Sequence, residues 1–585
     1  MQRAVLVVLI LGIAACSKPV SKEEQWLTDF EKSGGLETPR YDKTIEYIKR
    51  LERASPWVRL MYFGVTPQGR RLPMVVVDKS EHFAAGPWKD RAKPVILIQA
   101  GIHAGEIDGK DAGLLLLRDM VIHGKYPEIL NDVTILFMPI FNLDGHERMS
   151  EYNRINQNGP KEMGWRVTAQ NLNLNRDYMK ADSPEMRAWL KIFHQWRPDF
   201  FIDCHVTDGA DYRHVVTYAM DMTINVAEPL RTWQQEKYLP ALQAAMSEAG
   251  FPLSPYVFPV DDKYFEKGLY GGNAPPRFST EYAAINDRPG LLIETHMYKD
   301  YKTRVQGTYQ TLLHTLRIVA KDKGSLKEAL IKSDELTLNL AGQAIPVTFQ
   351  LDGTSTKFPF LGLNYRFMKS EYSGDTIVVW EDVPIDYNLP VFNSMSAKDT
   401  AVVPYAYVIP QEWTDVISVL EAHGVQMQKL DRDRMVKIQA YHFSQPKWAE
   451  RPFEGRLRVE FQTTMESEER EFRKGDIVIR NNQDVNRVVA QLLEPKGEDS
   501  FLSWGFFNSI FEQKEYGEAY KLHWLADSMM KDPDTRRAFD EKLKNDPEFA
   551  KNAYGRLNWF YRRSPYWDQG VDRYPVGRVM SEQDL

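Results

Sequence analysis

Between residue 40 and about residue 325 the chain alternates unbroken apolar runs with amphipathic stretches. The apolar runs "PMVVVD", "PVILIQA", "VTILFMPIF", "DFFIDCHV" and "GLLIET" are continuous, and strands buried on both faces read this way. Between them lie segments with helical spacing, among them "DGKDAGLLLLRDMVIHG", "SPEMRAWLKIFHQW", "VAEPLRTWQQEKYLPALQAAMSEAG" and "QGTYQTLLHTLRIVAKDKG". Strand and helix in turn predict an α/β domain over residues 41–325, with a mainly parallel mixed sheet and helices on both faces. The pattern then changes. Residues 335–480 read as a β-rich accessory domain, with "AIPVTFQL", "DTIVVWEDV" and "RLRVEFQTT" as strands and a helix around "EWTDVISVLEAHG". Residues 481–585 read as a helical C-terminal region, including "DVNRVVAQLLEP" and "DTRRAFDEKLKNDPEFAKNAYGRLNWFYRR".

Length agrees with several units, since 585 residues exceed one ordinary core and suggest roughly two to four domains. Apolar residues form 43% and charged residues 26% of the chain, the balance of a folded globular protein. The formal charge of -7 gives no basic footprint, which argues against nucleic acid as a partner.

The first residues alter the picture. Arg3 precedes "AVLVVLILGIAA", too short for a comfortable membrane span and suited to the core of a secretory signal. It ends in "IAAC" at Cys16, which resembles the lipobox of bacterial lipoproteins. That resemblance implies a signal peptide over 1–16 and lipidation of Cys16, and the polar residues 17–40, with "SKEEQ" and "EKSGG", read as a tether. The resemblance also implies a membrane anchor and a place on the periplasmic side of the bacterial envelope. Ser17, rather than Asp, follows the cysteine, and by the same resemblance fits outer-membrane sorting. The one other cysteine is Cys204, so a lipidated Cys16 leaves no pair for a disulfide. Oligomeric state is not readable.

Open α/β sheets bind ligands at the carboxyl ends of their strands. His103 and Glu106 of "GIHAGEIDG" follow "PVILIQA", and His205 ends "DFFIDCHV". Two imidazoles and a carboxylate delivered from two strand ends make a three-ligand zinc site with a position left for water. Residues two apart on a strand share a face, so Asp203 lies on the side of His205 as a group that orients it, and Cys204 points the other way as a small buried hydrophobe.

Six motifs, "HAGE", "NLDGHER", "GWR", "NLNLNRDY", "DCHV" and "LLIETH", occur in an order that resembles the zinc carboxypeptidase family of the carboxypeptidase A type, over about residues 40–320. His₂Glu is that family's own ligand set. The resemblance implies one zinc ion on His103, Glu106 and His205 and Glu294 as the catalytic carboxylate. It further implies Arg166, nine residues before Asn175, as the arginine that polarises the scissile carbonyl, and Asn175 with Arg176 as the grip on a terminal carboxylate. The substrate implied is a peptide that loses C-terminal residues. Asn173 departs from the family pattern, which has Asp there, so an amide rather than a carboxylate would orient a ligand histidine. The family's substrate-capping tyrosine falls on either Tyr270 or Tyr282. Two rival readings remain: an amidase or deacylase on the same scaffold, and a substrate-binding lipoprotein without catalysis.

Overall fold

A computed structural model describes residues 24–272 and 274–585; the expected signal segment, Cys16 and the start of the tether lie outside the described residues. Among the described residues ten strands fall in the first half: β1 (Val58–Val65), β2 (Arg71–Val77), β3 (Val95–Ala100), β4 (Thr134–Met138), β5 (Phe200–Val206), β6 (Val216–Ala219), β7 (Ser254–Pro255), β8 (Phe258–Pro259), β9 (Leu269–Tyr270) and β10 (Gly290–Thr295). Eight of them form one sheet in the order β1-β2-β4-β3-β5-β10-β6-β7. The centre of the sheet, β4-β3-β5-β10, is parallel throughout. Antiparallel pairings flank it, β2 with β4 on one side and β6 with β10 on the other. The expected mixed α/β sheet is therefore present; four of the five unbroken apolar runs encode its parallel part, and the fifth, "PMVVVD", encodes β2, which is antiparallel to both of its neighbours.

Alternation along each central strand splits the core into two layers. Ile96, Ile98 and Ala100 of β3 join one cluster, with Leu114 and Leu117 of the helix Asp108–Val121 and Val305 and Leu312 of the helix Tyr301–Lys321. Val95 and Leu97 join the other, with Met186, Trp189, Leu190 and Phe193 of the helix Pro184–Trp196. Those four positions recur at helical spacing and turn one stripe to the sheet. Ser183 caps this helix by accepting from Met186 N, Pro184 opens it, and Arg197 closes it in the left-handed conformation (φ 44°). Trp189 is fully buried; shortening it to Ala would cost about 3–5 kcal/mol.

The second layer is not closed by that helix alone. Val416 and Leu420 of the helix Thr414–Ala422, Val488 and Leu492 of the helix Asn486–Leu493, and Phe501 complete the same cluster. The accessory region thus shares its core with the α/β half. It is β-rich as expected: β11 (Ala344–Leu351) pairs with β14 (Met395–Val402), and β12 (Thr356–Lys369) with β13 (Thr376–Phe392) in a long hairpin. Strand β13 also pairs in parallel with β9, so the hairpin sheet runs into the first half of the chain. A further six-stranded sheet includes Ala406–Ile409, Arg434–Trp448 and Val459–Phe472. The helical stretch after residue 481 returns to this sheet through the strand Gly577–Val579. The long helical pattern of residues 533–561 is cut into Pro533–Asn545, Pro547–Lys551 and Ala553–Tyr561, because Pro547 lacks the N–H that an unbroken helix would need and Asp546 and Asn552 cap the two new starts.

Candidate active site

Three neighbouring strand ends, those of β3, β5 and β10, deliver the candidate residues to one place. After Ala100 the chain turns out of the sheet at Gly101 (φ 68°), a left-handed position where glycine carries no steric penalty. Glu106 N then donates to His103 O at 2.9 Å, closing a turn that brings both side chains to the same side. The helix that follows lies hard against the sheet: a Cβ at Gly109 would stand 2.4 Å from Cys204 Cβ. Cys204 accordingly packs away from the site, buried and unpaired, while His205 and Asp203 turn toward it. In the parallel register of β5 and β10, Glu294 lies beside His205.

His103 Nδ1 stands 3.1 Å and His205 Nδ1 3.0 Å from Glu106 Oε2. Their other ring nitrogens are occupied: His103 Nε2 meets Asn173 Oδ1 at 3.1 Å and His205 Nε2 meets Asp203 Oδ2 at 2.8 Å. Asn175 N donates to the same Asn173 Oδ1 at 3.0 Å, which fixes that oxygen as the acceptor. Both Nε2 atoms therefore carry the proton, and both Nδ1 atoms point toward Glu106. One ligand atom from each of His103, Glu106 and His205 lies within 4.8 Å of the others, and all three residues are buried.

Charge is arranged to suit a cation. Burial opposes the imidazolium at both histidines; at His103 it prevails and brings the pKa down to about 4. At His205 the pull of Asp203 and Glu106 outweighs burial and moves the pKa well above its usual value. Burial would also raise the Glu106 carboxyl, yet His103, Arg154 and His205 hold it well below the carboxylate range. Two fixed imidazoles, an ionised carboxylate and preference for positive charge match the donor set of a zinc site.

A cavity of about 480 Å³ opens onto this cluster, and Arg166, Asn175, Arg176 and Glu294 also line it. Glu294 is 6% exposed, and its Oε2 has no hydrogen-bond partner among the described residues. Burial raises its pKa to about 8 against the opposing pull of His205, with Glu106 and Asp208 adding to the rise. Arg166 Nη1 donates to Glu106 Oε1 at 3.2 Å from a half-exposed position. The Arg176 guanidinium stacks 4.0 Å from the centre of the Phe278 ring and donates to Asn175 O at 2.7 Å. It makes no ion pair among the described residues, and burial, with Arg166 beside it, lowers its pKa to about 10.

Other residues join the site that the strand pattern does not announce. Arg154 binds Glu106 Oε1 at 2.8 Å from a nearly buried position, and Gly105 leaves it room, since a Cβ there would lie 2.5 Å from Arg154 Cδ. Tyr256 and Glu281 line the cavity as well. Of the two candidate capping tyrosines, Tyr270 lines the cavity, whereas Tyr282 is buried with its hydroxyl on His194 and His423. From the accessory region Glu454 Oε2 accepts from Asn173 N at 3.0 Å, and Leu351 and Met395 reach the cavity wall.

Residues 44–249 match the family model of the zinc carboxypeptidases. Over those residues the chain carries a zinc carboxypeptidase domain. It is 22% identical over 487 residues to the "Carboxypeptidase 2" of Trichophyton tonsurans, covering 81% of this chain and 85% of that one. The same figures hold for "Carboxypeptidase 2" of Trichophyton rubrum. Among solved structures, carboxypeptidase A from Helicoverpa armigera superposes with a TM-score of 0.37 at 15% identity, over 48% of this chain and 74% of that one. A metallo-carboxypeptidase from Burkholderia cenocepacia gives 0.34 at 18% identity, over 48% and 69%.

Proposed function

We propose that the protein is an exopeptidase that removes C-terminal residues from peptides, with one zinc ion held by His103, Glu106 and His205. Bound there, zinc would lower the pKa of water and polarise the scissile carbonyl. Glu294 takes the proton of the attacking water on its unpartnered Oε2 and passes it to the leaving amine. A pKa near neutrality suits a group that must both accept and return a proton. Arg166 stabilises the charge that develops on the carbonyl oxygen. Arg154, closer to Glu106 and less exposed, keeps that carboxylate in place. Arg176, with Asn175 beside it, offers a planar fork to the peptide's terminal carboxylate.

The observation that carries this reading is the pairing, in one cavity, of a His-Glu-His cluster with an arginine, Arg176, that makes no ion pair among the described residues. An endopeptidase has no use for such a fork, whereas an enzyme that works from the C-terminus can use it to register the chain end. We further propose that Cys16 is lipidated and anchors the enzyme on the periplasmic side of a bacterial outer membrane, where envelope peptides are the available substrates. Mass spectrometry of a mixed peptide library treated with the purified protein, with and without chelator, tests the activity. Stepwise, chelator-sensitive loss of C-terminal residues is expected; internal cuts, or release of acyl groups alone, would overturn it. Binding without turnover would favour a substrate-binding lipoprotein.

A further inference from the structure

Phe258 and Tyr270 line the catalytic cavity and also a second recess of about 280 Å³. They face each other in the antiparallel register of β8 and β9, with ring centres 5.7 Å apart, and so stand between the two spaces. The loop after β5 runs the same way: Asp208, just past His205, lines the first space, and Gly209 and Ala210 line the second. The opposite wall comes from the accessory hairpin. Tyr365 of β12 and Trp380 of β13 are directly paired across it, their ring centres 5.4 Å apart, and both line the recess together with Val378. This hairpin lies outside residues 44–249, which carry the family match.

The recess is formed in advance of any ligand. Phe265 packs on Trp380 with ring centres 5.6 Å apart, and Phe265 N donates to Tyr365 Oη at 3.3 Å. Lys263 pairs with Asp375 at 3.0 Å, so the loop and the hairpin hold each other in place. Yet Phe258, Tyr270, Tyr365 and Trp380 all keep part of their surface uncovered. Concave aromatic surface left open in this way suits an apolar ligand group. Charge does not call for a different one: Lys263 has Asp375, Asp261 has Lys267 at 2.5 Å, and Asp262 is exposed to water.

We infer that this recess binds an aromatic side chain of the substrate peptide upstream of the bond that is cut. The inference rests on the carboxypeptidase reading. A peptide with its terminal carboxylate on Arg176 and its last bond at the metal cluster must lead the rest of its chain out of the cavity. The wall of Phe258 and Tyr270 offers that way, and Tyr256, which also lines the first cavity, continues the aromatic surface with its ring centre 4.9 Å from that of Phe258. A phenyl or indole ring arriving there meets rings on both sides, against which it packs offset or edge-on. The accessory hairpin thereby adds a preference that the C-terminal residue does not set.

The test uses the full zinc-loaded protein and blocked alanine pentapeptides that all end in the residue released fastest from the peptide library. Phenylalanine replaces one alanine at a time, at each position upstream of the final bond. At one of these positions kcat/KM is expected to rise by about 10–100-fold over the alanine peptide, the gain from burying one aromatic side chain. Trp380→Ala removes a wall and Val378→Trp fills the space, and in both the ratio of the phenylalanine peptide to the alanine peptide should fall to within about threefold of unity. A variant that only loosened the fold would slow both peptides together and leave the ratio unchanged. Equal rates at every upstream position in the unaltered protein, or an unchanged ratio in either folded variant, overturn the inference. Should a variant fail to fold, the positional series in the unaltered protein still decides. Release that ignores the upstream residue sinks this inference alone; no release from any peptide sinks the carboxypeptidase reading with it.

Discussion

Glu106 and Glu294 line one cavity at neighbouring strand ends, and both are buried, yet they are held in opposite states. Around Glu106 stand two histidines, Arg154 at 2.8 Å and Arg166 at 3.2 Å, and Val206 N also donates to it at 3.1 Å. Glu294 has no such company, and burial leaves it with a raised pKa. The difference lies in the neighbours, since the residue type is the same. A carboxylate crowded by donors is fixed as an anion and suits a ligand; one left bare keeps its proton near neutral pH and suits a proton carrier.

The most damaging way to break this contrast is Glu294→Gln, which keeps the shape and removes the titration. We expect kcat to fall by about 10²–10⁴ while zinc content stays at one per chain, checked by steady-state kinetics and elemental analysis. In the unaltered enzyme the base works as the carboxylate, so activity drops as acid protonates it. Positive charge on the cluster favours that carboxylate, which places this acid limb below the value of about 8 set by burial. An undiminished kcat in the variant would remove Glu294 from the chemistry.

Next in size is Arg166→Ala, for which a loss of about 10²–10³ in kcat is expected from the missing oxyanion partner. The same loss in Arg154→Ala with none in Arg166→Ala would transfer the role to Arg154. On the ligand side, Asn173→Ala should weaken zinc binding by about 10–100-fold, measured by competition with a chromogenic chelator, because His103 loses the acceptor that fixes its ring. Asn173→Asp should tighten it, since a carboxylate makes the imidazole more basic. Equal affinity in all three forms would mean that the amide has no part in orienting the ligand.

The smallest expected effect sharpens the contrast away from the site. Glu185 is fully buried, neither of its carboxylate oxygens has a partner among the described residues, and burial raises its pKa to about 7. The folded chain therefore binds a proton there that the unfolded chain has released, so this residue's contribution to stability falls as pH rises from about 4.5 to about 7. Glu185→Gln should have little effect on Tm at pH 5 and stabilise at pH 8 by on the order of 1–3 kcal/mol, read by thermal or urea unfolding. The same difference at both pH values would refute the assignment.

How far the sequence reveals all this depends on what positions each residue. His103, Glu106, His205 and Glu294 follow or end unbroken apolar runs, and a buried parallel strand fixes where its carboxyl end emerges. Asp203 is legible through the two-residue period of β5, and its contact with His205 is present. Arg154, Tyr256 and Glu281 are not legible, because loops and a short helix carry them and only tertiary packing turns them inward. The same holds for the shared core: amphipathic helices at 414–422 and 486–493 show that they must cover something, but not that they cover the sheet of the first half. Tyr282 is set aside by its bond to His423, a partner 141 positions later that no local pattern joins to it.

One thread of hydrogen bonds, from Glu454 to the backbone of Asn173 and from its amide oxygen to the ring at His103, ties the accessory half to the metal cluster. Arg456, two residues along, grips Asp182 through both of its carboxylate oxygens. Truncation after residue 325 would strip the cover from Trp189's layer and unfasten the loop that steadies the first imidazole. A fragment ending there is expected to lose both stability and zinc affinity, because part of its core and one support of its metal cluster come from the other half.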